Sequence, residues 1–288
     1  MIKFFKSLLL FLVFTLPALA DSLTINLNEF TANDGLSDNQ TNCVIQDKYG
    51  FIWIGTKDGL NRFDGKSFQV FKFQSDKNSV SGNNITCLEV TDDSLLWIGT
   101  ASNGFCSYNY KTNTFQNYHA RNSPLRAEYI NDLAFDKVRN CIWVAMNNGG
   151  LQQFDLKNKK LNPYVYSINS YYAVAVKDTI SLFAGIIESL KKLDNVGRNK
   201  GMVGDTATTI NTIYIDNDLN VWCGAWDNAL HLFNIHGKRL QSYIFDGTSK
   251  FKKSGEEIIS ISSDASNNIW CGTKSSGIFI FNKATGTN

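Results

Sequence analysis

Short apolar runs alternate with polar turns along this chain, and the alternation repeats on a longer scale. In residues 51–64 an apolar run ends in Trp53-Ile54-Gly55-Thr56, a polar turn closes on Gly59, and a second run ends in Phe63-Asp64. The phrase returns at Trp97-Ile98-Gly99-Thr100, Trp143-Val144-Ala145, Trp222-Cys223-Gly224 and Trp270-Cys271-Gly272, with a worn copy at Phe183-Ala184-Gly185. Each copy is followed by an aromatic or aliphatic residue and then Asp or Asn: Tyr108-Asn109, Phe154-Asp155, Leu193-Asp194, Phe233-Asn234 and Phe281-Asn282. A unit of about 40–50 residues made of short strands is the mark of a propeller blade.

The period-2 runs between turn residues then place the strands. Blade 1 reads 43–46, 51–55, 60–63 and 68–73; blade 2 reads 85–90, 95–99, 105–108 and 115–118; blade 3 reads 130–135, 141–145, 151–154 and 161–166. Blade 4 reads 172–176, 180–185 and 189–193, with a poorly defined fourth strand before Thr208 and a glycine-rich, basic loop over 195–204. Blade 5 reads 210–215, 221–224, 229–233 and 240–245, and blade 6 reads 258–262, 269–272 and 278–281. The last blade lacks an outer strand, and residues 23–30 alternate apolar and polar ahead of blade 1. The expected fold is therefore an all-β, six-bladed β-propeller of four-stranded antiparallel blades, closed by the N-terminal strand. The alternative is a truncated seven-bladed propeller. The repeated tryptophans are expected in the core between blades, with the strand-two glycines allowing close approach.

The first twenty residues differ. Lys3 and Lys6 precede an apolar run over 8–16 and then Ala18-Leu19-Ala20, the layout of a secretory signal peptide. This predicts a leader over 1–20, a propeller domain over 21–288 and a periplasmic location. Nothing after Asp21 is long and apolar enough to span a bilayer, so no membrane insertion is expected once the leader is removed. The chain holds 28 Lys and Arg against 26 Asp and Glu; losing Lys3 and Lys6 brings the two into balance. A neutral chain has no electrostatic footprint for nucleic acid. Six cysteines in an exported chain raise the question of disulfides. Cys43, Cys87, Cys106, Cys141, Cys223 and Cys271 stand in strand positions held elsewhere by aliphatics, so free core thiols are expected. No Cys-x-x-Cys suggests zinc, and no cofactor is expected.

Candidate chemistry sits in the turns between strands two and three, which on a propeller share one face. These carry Lys57 and Asp58, Asn103, Asn147 and Asn148, Trp226 and Asp227, and Lys274, with Tyr172 at a nearby loop–strand junction. Trp226 is an aromatic in a turn beside Asp227, suited to stacking on a sugar ring while amides and carboxylates meet hydroxyls. The same turns also select Asn, Asp and Gly for conformational reasons alone. Asp216-Asn217-Asp218 resembles the start of a calcium loop, but Val221 stands where that loop needs glycine, so a plain β-turn is expected. Of the three histidines, His119 ends a strand, His231 lies within one and His236 is in a turn; no nucleophile elbow or phosphate loop accompanies them.

The stretch from Asp47 to Asp64, together with Asp34-Gly35-Leu36-Ser37-Asp38-Asn39, resembles the two-component regulator propeller repeat, and the resemblance extends over essentially 30–288. It implies the periplasmic sensor region of a Bacteroidetes-type hybrid two-component system, binding an oligosaccharide or another small ligand and non-catalytic in itself. The family couples such propellers through a Y-shaped immunoglobulin-like domain and a membrane helix to a histidine kinase, receiver and DNA-binding domain. This chain contains none of those parts and looks like the first propeller of a longer sensor. Any kinase activity would lie in a C-terminal part, and a homodimer or a neighbouring sensor domain would be the partner. The alternatives from other classes are a stand-alone protein-interaction propeller and a propeller lyase.

Overall fold

The computed structural model describes residues 28–75, 77–92, 94–162, 169–177, 181–194, 199–205, 208–227, 229–244, 257–275 and 277–283. The leader and most of the strand expected over 23–30 lie outside them; residues 28–30 are exposed and not in a strand. The unit Thr31–Asn288 holds six antiparallel sheets in sequence order. Blade 1 is β1 (Thr41–Gln46), β2 (Ile52–Thr56), β3 (Gly59–Phe63) and β4 (Phe68–Phe71). Blade 2 is β5 (Ile85–Val90), β6 (Leu95–Thr100), β7 (Phe105–Asn109) and β8 (Thr114–Tyr118). Blade 3 is β9 (Ile130–Asp136), β10 (Cys141–Met146), β11 (Gly150–Asp155) and β12 (Lys160–Leu161). Blade 4 is β13 (Tyr171–Lys177), β14 (Ser181–Ile186), β15 (Ser189–Leu193) and β16 (Asn199–Asp205). Blade 5 is β17 (Ile210–Ile215), β18 (Val221–Ala225), β19 (Ala229–Phe233) and β20 (Arg239–Ile244). Blade 6 shows β21 (Ile258–Ser263), β22 (Ile269–Thr273) and β23 (Ile278–Phe281). The protein is a six-bladed β-propeller.

One sequence expectation is corrected in part and one lies mostly outside the described residues. The poorly defined fourth strand expected before Thr208 is residues 199–205, which overlap the stretch read as a loop and pair with β15 as the outer strand of blade 4. Its glycines hid the strand pattern, and partner strands override weak intrinsic preference. The outer strand expected over 161–166 is confined in the described residues to Lys160–Leu161; 163–168 lie outside them.

Blade-to-blade packing follows one rule. The first residue of each new blade, an isoleucine in four cases, covers the strand-two glycine of the blade before it. A Cβ built on Gly55 would come within 2.6 Å of Ile85 Cγ2, one on Gly99 within 2.9 Å of Ile130 Cγ2, and one on Gly224 within 2.6 Å of Ile258 Cγ2. Gly185 meets Ile210 at 2.9 Å in the same way. In blade 3 the glycine is Ala145, which shares a buried cluster with Tyr171. Beside each contact the strand-two aromatic fills the rest of the gap. Trp53, Trp97, Trp143, Trp222 and the blade 4 equivalent Phe183 are all essentially inaccessible. Trp270 is only half-buried, and among the described residues a Cβ on Gly272 would meet Ser260 of its own blade.

An indole N–H buried this way needs an acceptor. An aspartate in the turn between the first and second strands supplies it: Trp53 Nε1 donates to Asp47 at 2.7 Å, Trp143 to Asp136 at 3.1 Å, Trp222 to Asp216 at 2.9 Å and Trp270 to Asp264 at 2.9 Å. Burial works to raise the Asp216 carboxyl, but hydrogen bonds from Lys283, Trp222 and Asn220 outweigh it and hold it at about 2. With its oxygens so engaged, the 216–220 segment is a braced β-turn. Donation from Trp270 and Asn268 holds Asp264 at about 2 as well. A carboxyl depressed on folding stabilises the protein above its ordinary value near 4, and that contribution is lost as pH falls toward 2.

All six cysteines are free, five of them buried and Cys43 partly so. Burial pushes the thiols of Cys43, Cys141 and Cys271 up to about 12 and that of Cys106 to about 11, so they stay protonated and act as small apolar side chains.

The glycine contacts generate a prediction. Gly224→Val forces a branched side chain against Ile258 and Thr212 and should cost about 1–3 kcal/mol or more. Urea unfolding of the variant against wild type checks it.

Candidate functional site

The turns named from the sequence do share a face. In five blades the first turn residue donates its N–H to the carbonyl just ahead of the blade's first strand: Lys57 to Gln40, Ala101 to Asn84, Asn147 to Tyr129, Trp226 to Thr209 and Lys274 to Glu257, at 3.0–3.1 Å. These bonds bring strand-two turns and inner-strand starts together along one rim.

At that rim every inner strand carries a bulge at its second residue: Asn42, Thr86, Asn131, Tyr172, Asn211 and Ile259. A bulge frees one residue from the ladder and re-aims its side chain. In blades 1 to 3 the freed side chain stitches to the next blade. Asn42 Nδ2 donates to Ile85 O at 2.7 Å, Thr86 Oγ1 to Ile130 O at 2.6 Å, and Asn131 Nδ2 to Tyr171 O at 2.7 Å. Blades 4 and 5 use the slot differently. The Tyr172 ring meets the Trp226 ring edge-on, centroids 5.9 Å apart, and the Trp226 Nε1 donates to Asn211 Oδ1. The indole is thus held by an amide and a second aromatic, yet remains 48% exposed.

Asp227 flanks it. Its Oδ1 accepts from Ala229 N at 3.2 Å, and its Oδ2 lies 3.2 Å from His231 Nε2. His231 is buried, with Nδ1 2.7 Å from Ser242 Oγ. Burial acts to raise the Asp227 carboxyl, but the hydrogen bond and charge of His231 bring it below the ordinary value. The aspartate is held ionised beside an exposed, oriented ring, an arrangement fitted to a hydroxyl-bearing ligand.

Of the nine residues expected at the rim, Tyr172, Trp226 and Asp227 come together. Lys57 and Asp58 border a separate shallow depression with Ser37, Asp38 and Gln40. There Asp58 is bound by Lys72 at 2.6 Å and Asn83 at 3.2 Å. The others serve local structure. Asn103 N donates to Thr100 Oγ1, Asn147 and Asn148 accept from the Ser170 hydroxyl, and Lys274 pairs with Glu257 at 2.9 Å. Asn211 was not singled out from the sequence, and His231 was read there only as a histidine within a strand. The only trace of Asn211 there is its place in line with Asn42 and Asn131, two residues before the alternating core positions.

Below the rim the inner strands line a central cavity of about 380 Å³ from β5, β9, β13 and β17. Glu89, Asp132 and Lys177 face it. Asp132 accepts from Leu133 N at 2.9 Å and from Val174 N of the next blade at 2.8 Å. Glu89 accepts from the backbone of Phe135 and Val90. Burial lifts Asp132 to about 7; burial, and then the charge of Asp132, lift Glu89 to about 8. Carboxyls raised on folding stabilise fully below their ordinary value near 4, and that stability is lost as pH rises through 7 and 8. The melting temperature should therefore fall between pH 6 and 9, and Glu89→Gln should flatten the upper part of the fall. A thermal scan across that range checks it.

Residues 35–58 match the family model described as two component regulator propeller. Over 76 residues, 26% of this chain and 6% of the relative, the sequence is 37% identical to Histidine kinase P4 of Formosa agariphila. The fold is similar to the extracellular domain of a putative hybrid two component system from B. thetaiotaomicron, with TM-score 0.75 and 24% identity over 91% of this chain and 36% of that one. It is also similar to PorZ, a bacterial surface component of the type-IX secretion system of Porphyromonas gingivalis, with TM-score 0.66 and 14% identity over 87% of this chain and 39% of that one. The chain thus carries a two component regulator propeller repeat and spans about a third of the extracellular domain it resembles.

Proposed function

We propose that this propeller is the ligand-sensing part of a two-component sensor, exported through its leader to the periplasm, and that it recognises an oligosaccharide at the blade 4–5 rim. The observation that carries the reading is the Trp226 indole, exposed yet fixed by Asn211 and Tyr172 beside the ionised Asp227. Aromatic faces stack on the C–H face of a sugar, and a carboxylate accepts from its hydroxyls. The propeller itself performs no chemistry in this reading. Ligand bound at the rim favours one arrangement of the propeller with a neighbouring sensor domain or a second copy, and differential affinity for the two arrangements is the signal. The repeat match and the 76-residue likeness to a histidine kinase support the sensory context.

Calorimetry with a panel of oligosaccharides tests this. One member should bind wild type, and Trp226→Ala and Tyr172→Ala should each weaken it about tenfold, or ~1.4 kcal/mol. Heat from no sugar would remove the carbohydrate reading and leave a protein partner. Turnover that is lost in His231→Ala would replace sensing with catalysis.

A further inference from the structure

The bond between indole and turn aspartate is missing in blade 2. Thr91 occupies the aspartate position, making the same turn bond to Leu95 O that Asp47 makes to Phe51 O. Trp97 is 1% exposed, and its Nε1 has no partner. Four sister indoles in this chain are satisfied by aspartate, so the orphan donor is a local departure from the protein's own rule.

A cavity of about 510 Å³ lies against this indole, in the seam between blades 2 and 3. Its lining includes the start of β6, the end of β7 and the start of β8, which places it at the end of the blades opposite the strand-two turns. Aromatics form the inner wall, with Tyr118 stacked on Trp97 at 6.1 Å and against Phe154 at 4.7 Å. Neutral polar side chains, among them Asn109 and Gln116, share the lining with Lys159, and none of the described lining residues is acidic. Gln116 and Lys159 have no hydrogen-bond or ion-pair partner among the described residues.

We propose that this seam is a second binding site, separate from the rim, for a small polyhydroxylated carboxylate. Lys159 takes the carboxylate, and the absence of any acid among the described lining residues favours an anion over a cation. Gln116 meets hydroxyls with both donor and acceptor, and Asn109, whose Oδ1 accepts from Lys111 N and Thr112 N, offers its Nδ2 as donor. The Trp97 N–H is the remaining unmet donor in the wall, and a ligand oxygen or a ligand-ordered water satisfies it. Size fits as well, since pockets of about 300–1,000 Å³ hold small molecules.

D-gluconate and its neutral counterpart sorbitol are the probes, read by calorimetry and thermal shift on the full chain. Gluconate should bind and raise the melting temperature, with sorbitol at least about tenfold weaker. Thr91→Asp gives Trp97 an internal acceptor and places a negative charge at the seam. It should raise the melting temperature without ligand and weaken gluconate about tenfold or more. Lys159→Asn, which suits the left-handed backbone of that turn (φ 53°), should weaken gluconate without changing the fold, and Trp226→Ala should leave it unchanged. Failure of gluconate to bind up to about 20 mM overturns the site, since weaker binding has no standing as recognition. Equal affinity for sorbitol overturns the carboxylate class. Binding insensitive to both Thr91→Asp and Lys159→Asn, or lost in Trp226→Ala, places the ligand elsewhere and also overturns it.

Discussion

The contact on which the architecture depends is the seating of one blade's first side chain on the bare backbone of its predecessor's second strand. Ile85, Ile130, Ile210 and Ile258 press where Gly55, Gly99, Gly185 and Gly224 have no Cβ. The close approach lets each tryptophan fill the remaining gap, so five buried inter-blade clusters form from one short recurring phrase. Such packing is non-directional in energy but strict in shape. It fixes the angle and distance between neighbouring blades, and with them the positions of every turn on the rim.

That rigidity gives meaning to the inner-strand bulge. The same slot in the repeat carries Asn42, Thr86 and Asn131, which spend their polar groups on the next blade's backbone. At Tyr172 and Asn211 the slot serves the exposed indole of Trp226 instead. In blades 4 and 5 this slot orients an exposed indole rather than forming the stitch seen in blades 1 to 3. Loop residues on a stiff scaffold are well placed for this, because the scaffold carries the ordering cost.

Buried polar groups divide the molecule in a related way. The turn aspartates Asp216 and Asp264 are held ionised by their hydrogen-bond donors, so they favour the folded state at neutral pH. Glu89 and Asp132 face a narrow cavity, where burial outweighs their backbone donors and favours the protonated form. Both arrangements satisfy buried hydrogen bonds, but they respond to pH in opposite senses.

Much of this was legible along the chain. The recurrence of Trp-x-Gly with its following aromatic marks the blades, because each blade must bury the same face against a like neighbour. The cysteines read as core residues for the same reason, standing where isoleucine and valine stand in sister repeats. What the chain could not disclose are relations between blades. Tyr172 and Trp226 meet because a bulge in β13 and a turn after β18 adjoin in space, and no periodicity within either segment encodes that. The Asn199–Asp205 strand formed against the grain of its glycines, since β15 offered it a ladder. The cavity beside Trp97 is lined from both β6–β8 of blade 2 and Phe154, Leu156 and Lys159 of blade 3. Sequence alone settled how each blade folds, through local alternation and turn chemistry; the stacking of blades decided which side chains share a site, because that depends on contacts between residues far apart in the chain.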